Sequence, residues 1–352
     1  MKLVLNMTPT ETNARNSEGT FIRLDEVTIL FAYSRYNSSD SQDHAGCDIA
    51  GIYSRDEGES WSEPVILVKA KSYDVQNIMS VSSIRQNDGK IALYYIIKEN
   101  DGSSSIGRAL SDDGKTFAPE RCVMNCHKNY YVFNNDRLIR LKDGRLAYPA
   151  AFHGFPNPEN HATTVCFFSD DDGKTFYSNH IKLTLPSLKV RDMGMQEPGV
   201  YQHKDGTIRI WARTSAGAQY ESYSRDGLET CTAPAPSIFT SPCSPMELAL
   251  NEKTDVLYAA YNPVPGYHRY SKDYGNASMG RTPFVIRKSE DDGKTWSKFK
   301  IIEDDKERGY CYPAMFFTND DSMLLAYCRG NADDGLCLSR LGMMKIDLSE
   351  LD

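Results

Sequence analysis

The stretch Ser289-Glu290-Asp291-Asp292-Gly293-Lys294-Thr295-Trp296 decides how this chain folds, because the same phrase returns along it. In the form S-x-D-x-G-x-[ST]-[WF] it recurs as Ser54-Arg-Asp56-Glu-Gly58-Glu-Ser60-Trp61 and as Ser169-Asp-Asp171-Asp-Gly173-Lys-Thr175-Phe176. Asp112-Asp-Gly114-Lys-Thr116-Phe117 fits with Leu110 at the serine position, and Ser224-Arg-Asp226-Gly227-Leu-Glu-Thr230 is a worn copy. The chemistry is that of a tight hairpin loop. Asp and Ser/Thr side chains satisfy turn amides, Gly takes a backbone shape other residues resist, and the aromatic packs inward. One copy is ordinary turn chemistry; five at intervals of about 55 to 65 residues mark an internal repeat.

A second series interleaves with the first. FIRLDEVTILFAY, SIRQNDGKIALYY, LIRLKDGRLAYPA, VYQHKDGTIRIWA, ELALNEKTDVLYAAY and FFTNDDSMLLAYC each place apolar or alternating runs on both sides of a polar turn. That is the sign of antiparallel hairpins. Six such hairpins, each followed where legible by an Asp-box hairpin, predict an all-β fold: a six-bladed β-propeller of four-stranded antiparallel blades. The final LCLSRLGMMKID is expected to supply the strand that closes the ring. No segment of helical length shows a 3.6-residue period and no Gly/Ser-rich linker divides the chain, so residues 1–352 read as a single domain.

Composition agrees with a folded chain: of 352 residues, 40% are hydrophobic and 25% charged. The opening MKLVLNMTPTETNARN has too short an apolar run for a secretory or membrane segment. Nine cysteines, an odd number without a C-x-x-C pair, argue against a disulfide framework or a zinc site and for reduced thiols in a cytoplasm. A net charge of −8 disfavours nucleic acid and anionic membrane as partners, while a local cluster of arginines is still able to hold a small anion. No H-x-x-H, EF-hand-type or phosphate-loop motif points to a metal or cofactor, so none is expected.

The repeat register also predicts which residues face the central cavity: those eight before the acidic residue of each inner turn. The rule selects Glu18, Ser80, Asn135, Glu197 and Tyr312, with Ser244 in the fifth blade by its S-P start.

Asp-boxes on a six-hairpin chain resemble the sialidase (exo-neuraminidase) superfamily, and the likeness covers nearly the whole sequence. It implies three arginines for a substrate carboxylate, an Asp acid/base, a Tyr nucleophile and a Glu that activates the Tyr. Gln196-Glu197-Pro198-Gly199 and Tyr312-Pro313-Ala314-Met315 look like the family's Glu and Tyr strands. Arg213, after TIRIWA, occupies the place of the second arginine, and Arg281, eight residues before Ser289, that of the third. For the first, Arg15 in Arg-Asn-Ser-Glu-Gly is preferred to Arg23, because Arg23 shares its repeat position with Arg85 and Arg140 beside the turns. Arg35 resembles the family arginine near the substrate's 4-position. Asp43 lies on the loop before the first complete Asp-box, where the family keeps its acid/base, with Asp48 as fallback and His44 beside it. Asn134, Asn135, Asp136 and Gln196 are further candidates for the pocket wall.

These residue types suit the chemistry. A sugar with a carboxylate on its anomeric carbon repels an anionic nucleophile, and a neutral Tyr avoids that repulsion. An ordinary Tyr has a pKa of about 10 and needs a base such as Glu197. Arginine's planar fork donates two parallel hydrogen bonds and keeps its charge. The resemblance thus implies a retaining exo-α-sialidase acting on a glycan. Two alternatives stand beside it: a propeller hydrolase or lyase for a different acidic or plant-type sugar, suggested by Glu18 and the absence of an R-I-P phrase, and a non-catalytic glycan-binding propeller.

Overall fold

The computed structural model describes residues 1–153, 161–186, 193–265 and 276–352, and among these nearly every element is a strand. Six sheets follow one another along the chain. Blade one comprises Asn16–Arg23, Ile29–Tyr36, Cys47–Ser54 and Val65–Val68; blade two Ile78–Arg85, Ile91–Lys98, Ser104–Ser111 and Ala118–Arg121. Blade four comprises Gln196–Gln202, Ile208–Arg213, Ala218–Ser224 and Ala235–Thr240; blade five Glu247–Asn251, Val256–Tyr261, Phe284–Ser289 and Lys300–Glu303. In blade three the inner strand is broken into Tyr130–Val132 and Ile139–Arg140, followed by Leu146–His153, Thr163–Ser169 and Thr175–Ser178. There Val123–Asn125 adds a parallel edge strand. The anticipated hairpins are the inner strand pairs of these blades, and the arrangement is a six-bladed propeller.

The ring closes differently from expectation. Leu341–Asp347 is the third strand of blade six, after Cys311–Phe317 and Ser322–Cys328; the outermost strand is the N-terminal Lys2–Met7, pairing Leu5 with Met343 and Met7 with Leu341. The chain's two ends thus hold one blade together. A six-residue edge strand that buries little of itself leaves no strong pattern to read.

Why the second strands read as unbroken apolar runs is visible in the packing. Ile91, Leu93, Tyr95 and Ile97 face blade one, while Ala92, Tyr94 and Ile96 of the same strand face blade three. Each blade is sandwiched between two others, so both faces of its inner strands leave water, and one apolar cluster fills each of the six junctions.

The Asp-boxes are built as the residue types require. Ser289 Oγ donates to Asp291 Oδ1 at 2.8 Å and accepts from Gly293 N at 2.8 Å, while Asp291 Oδ1 accepts from Thr295 N at 2.8 Å. In blade two the serine is Ser111 and the aspartate Asp113, not Leu110 and Asp112: Ser111 Oγ contacts Asp113 at 2.9 Å and Gly114 N at 2.8 Å. This loop is one residue shorter, which shifts the match. In the worn copy Leu228 takes the glycine's place with φ 72°.

Hydrogen bonds from Thr116, Lys115 and Ser111 hold the Asp113 carboxyl down at about 2; Thr230 does the same for Asp226 and Thr295 for Asp291. A carboxyl depressed in the folded state stabilises above its unfolded value of about 4, and that stabilisation is lost as pH falls toward about 2. The melting temperature is therefore expected to drop between pH 4 and 2, and a triple Asn variant at these positions to show a flatter slope. Parallel curves for the two proteins would refute the assignment.

One backbone feature aims the site. Glu18 (φ 54°), Ser80 (φ 60°), Glu197 (φ 46°) and Tyr312 (φ 54°) are all left-handed, and each sits at a break in the register between its inner strand and the next. A left-handed residue with a side chain is costly, and a bulge re-aims what it carries. In blade three the left-handed residue is Asp136 (φ 56°), one later than the register rule predicts, because the inner strand there is interrupted. Ser244 in blade five is not left-handed; it is buried and donates to Asn262 Oδ1 at 2.6 Å.

Candidate active site

Glu18, Ser80, Glu197 and Tyr312 open onto a cavity of about 380 Å³ whose wall also includes Asp43, His44, Asn134, Gln196 and Arg213, while Asp136, a further candidate for that wall, lies off it and accepts from Thr20 Oγ1 at 2.5 Å. At the floor of the cavity the Tyr312 hydroxyl donates to Glu197 Oε1 at 2.9 Å. Arg213 holds the other side of the same carboxylate, with Nη1 2.9 Å from Oε2, and donates to Gln196 Oε1 from Nε (3.1 Å) and Nη2 (2.8 Å). Gln196 lies directly across the strand pair from Arg213, which explains why the two side chains meet. The Arg281 guanidinium lies behind the Tyr312 ring, 5.7 Å from its centroid, and is buried. Burial, then the neighbouring Glu197, pushes the Tyr312 phenol well above its ordinary value, while both arginines pull it back. The phenol therefore rests protonated and hydrogen-bonded to Glu197.

A second cluster forms on the blade-one side. Arg15 is buried, with Nη2 2.9 Å from Glu18 Oε2 and Nη1 2.6 Å from Asp43 Oδ1, and it lies 4.7 Å over the Tyr36 ring. Burial raises the Glu18 carboxyl above its ordinary value against the pull of Arg15. Enclosure also pushes Asp43 up, but Arg15 and then Lys98 outweigh it and hold that carboxyl below its ordinary value. Two carboxyls on one arginine are thus driven in opposite directions, the more buried Glu18 upward and Asp43 downward.

The remaining candidates fall elsewhere. Asn135 is fully buried and donates to the Gly19 and Pro313 carbonyls (2.8 and 3.2 Å), tying three blades together, while its neighbour Asn134 lines the cavity. Arg35 lies outside the cavity wall beside Tyr33; strand alternation gives the inward place to Tyr36, against Arg15. Arg23 pairs with Glu57 at the turn end of its strand (2.6 Å). Asp48 lies within its strand and accepts from Ala70 N at 2.8 Å.

Three polar wall residues, Lys98, Tyr130 and His153, carry no motif and were missed. Lys98 and His153 each end the second strand of a blade, ten residues after the acidic turn residues Asp88 and Asp143, and that shared offset was a usable signal. Burial, with Arg213 nearby, lowers His153 to about 4, so it is neutral near pH 7. Lys98, lowered by burial, donates to the Asp43 carbonyl and secures that loop. Tyr130, whose phenol burial raises to about 12, stands 6.3 Å from the His44 ring. All nine cysteines are free, and no helix among the described residues is long and apolar enough to cross a membrane.

A phenol paired with a carboxylate, two arginines beside it and a carboxyl at the mouth form an arrangement able to attack an electrophilic carbon next to a bound anion. Comparison with known proteins bears on which fold carries it. The chain superposes on the Hadza microbial sialidase Hz136 with a TM-score of 0.73 at 16% identity, over 96% of this chain and 66% of that one. It thus spans just under two thirds of that protein. The NanB sialidase of Streptococcus pneumoniae gives 0.73 at 13% identity, over 100% and 71% of the two chains. The intramolecular trans-sialidase of Ruminococcus gnavus gives 0.71 at 12%, over 99% and 97%. At such identities the likeness shows a sialidase-like fold. No curated protein matches the sequence. A family model described as BNR repeat-like domain matches residues 31–325. With five Asp-box hairpins on six blades and that match over most of its length, the chain belongs to the BNR repeat-like domain family.

Proposed function

We propose that residues 1–352 act as one propeller domain that hydrolyses a terminal glycosidic bond with retention, with sialosides or related nonulosonic acids as its leading substrate class. The observation that carries this reading is the 2.9 Å hydrogen bond from the Tyr312 hydroxyl to Glu197, flanked by Arg213 and Arg281. Glu197 takes the phenol proton as Tyr312 Oη bonds to the anomeric carbon, and Asp43 gives its proton to the departing glycosidic oxygen. Asp43 then takes a proton from water, the water oxygen bonds to the anomeric carbon, and Tyr312 leaves with the proton held by Glu197. Two displacements return the original configuration. His44, Asn134 and Gln196 line the space a sugar would fill.

The test is release of 4-methylumbelliferone from its sialoside and of sialic acid from natural sialosides, with the first-formed anomer read by NMR. A folded protein that cleaves neither, or yields the inverted anomer, sinks the sialidase reading. Because Arg15 keeps Asp43 below its ordinary value, its acid form is scarce near neutrality. Cleavage of natural sialosides is therefore expected to fall as pH rises, and Asp43→Asn to lower it about 10²- to 10⁴-fold. The aryl sialoside, whose leaving group needs little protonation, is expected to suffer less; equal losses on both would remove Asp43 from the acid role. A second reading, hydrolysis of a different acidic sugar, is favoured by one observation: the Glu18 carboxylate sits on Arg15.

A further inference from the structure

All three nitrogens of the Arg15 guanidinium are engaged within the protein. Nε donates to Ser17 Oγ at 2.9 Å, Nη1 to Asp43 Oδ1 at 2.6 Å and Nη2 to Glu18 Oε2 at 2.9 Å. The group is 1% exposed and stacks over Tyr36, so a ligand meets Glu18 before it meets Arg15. Arg213 is also held, by Gln196 and Glu197, but its side chain is 12% exposed and lines the cavity, and Nε and Nη1 of the buried Arg281 have no hydrogen-bond partner among the described residues. Glu18 itself is under-used. Its Oε2 accepts from Arg15 and Ser17, but Oε1 accepts only from Ser80 Oγ at a long 3.2 Å, and both Glu18 and Ser80 line the cavity, leaving room for another donor.

We propose that Glu18 sets which sugars the cavity accepts: by pairing with Arg15 and standing between it and the cavity it leaves Arg213, backed by Arg281, to meet a sugar carboxylate, and its own carboxylate accepts a hydroxyl or amide N–H of the same sugar. The substrate class is then a terminal sugar acid bearing a neutral hydrogen-bond donor beside its carboxylate, held by one arginine pair and one acceptor. A buried acceptor rejects a sugar that lacks the donor, because the acceptor is left unpaired. Glu18's left-handed backbone supports the assignment, since that conformation turns the carboxylate toward the cavity at the cost of strain. The inference rests on the cavity being the glycan site proposed above.

The test compares 2,3-didehydro-2-deoxy-N-acetylneuraminic acid with its methyl ester, titrated calorimetrically into the full chain. Wild type is expected to prefer the acid by no more than about tenfold, and Glu18→Gln to raise that preference by about tenfold or more as an Arg15 donor is freed. An unchanged or smaller ratio in the variant overturns the proposal, as does a wild-type preference above about a hundredfold or binding of neither compound. Should Glu18→Gln not fold, the pair can be replaced together as Arg15→Met/Glu18→Leu, which leaves no unpaired buried charge. In that protein the ratio is expected to stay within about threefold of wild type, and a tenfold fall overturns the proposal. Hydrolysis is read separately: cleavage that survives Tyr312→Phe sinks the glycosidase mechanism without touching the acid-to-ester ratio.

Discussion

Replacing Tyr312 by phenylalanine is expected to lower kcat by about a thousandfold or more on any glycoside the protein cleaves, with little change in KM or in thermal stability. The substitution removes one oxygen, the atom that would bond to the anomeric carbon. The ring keeps its position against Arg281, and the backbone keeps its left-handed bulge. What is lost on the protein side is one hydrogen bond to Glu197, whose carboxylate retains Arg213 as a partner. The expected result is thus a folded protein that still binds a sugar analogue but does not turn over. Activity within tenfold of wild type would show that Tyr312 is not the nucleophile. Loss of activity together with loss of folding would mean the hydroxyl is structural, so circular dichroism and calorimetric binding belong with the assay.

The largest expected effect on stability lies under the cavity, at Glu247→Ala. Arg137 and Glu247 form an ion pair with side chains 1% and 7% exposed, linking the broken inner strand of blade three to the first strand of blade five across the ring. The guanidinium also donates to the Met246 carbonyl at 2.6 Å and lies 5.7 Å from the Trp211 ring centroid of blade four. Removing the carboxylate leaves a buried cation without its counter-charge, and such losses cost about 3–5 kcal/mol. The denaturant midpoint of Glu247→Ala is expected to shift accordingly. Replacing both partners by apolar residues of similar volume, Arg137→Met/Glu247→Leu, is expected to restore stability to within about 1–2 kcal/mol of wild type. If the double variant is as unstable as the single one, the contribution of this pair comes from hydrogen-bond geometry rather than charge compensation.

Much of the architecture was legible because a propeller is written in local signals. An Asp-box needs only residues within eight positions of one another, and an inner hairpin is an apolar run, a polar turn and another apolar run, so each can be recognised without knowing its neighbours. Repetition then supplied the count of blades. The misreadings share a cause: each depended on the length of a connecting segment. Ser111 was passed over because its loop is one residue shorter than the pattern, and the register rule selected Asn135 instead of the left-handed Asp136 because the blade-three strand is interrupted. The N-terminal strand was passed over because its pairing partner lies more than 300 residues away.

The site divides along the same line. Residue type and repeat position were enough to bring Glu197, Tyr312 and Arg213 to one cavity wall, since bulges at equivalent places aim equivalent side chains. Direction and partnership were not legible. Arg213 pairs with Gln196, immediately before the bulge at Glu197, whereas Arg35 pairs with Asn16, one place further from the bulge at Glu18, and strand alternation puts it off the cavity wall. Arg15 holds Asp43 across 28 positions while its Nη2 is taken by Glu18. By itself, then, the sequence determined the blades, their number and the order of the chemical groups along them, because those follow from short-range turn chemistry and strand periodicity. Tertiary structure alone decided which charge meets which, because an ion pair depends on distances of a few ångströms between blades, and no repeat pattern encodes those.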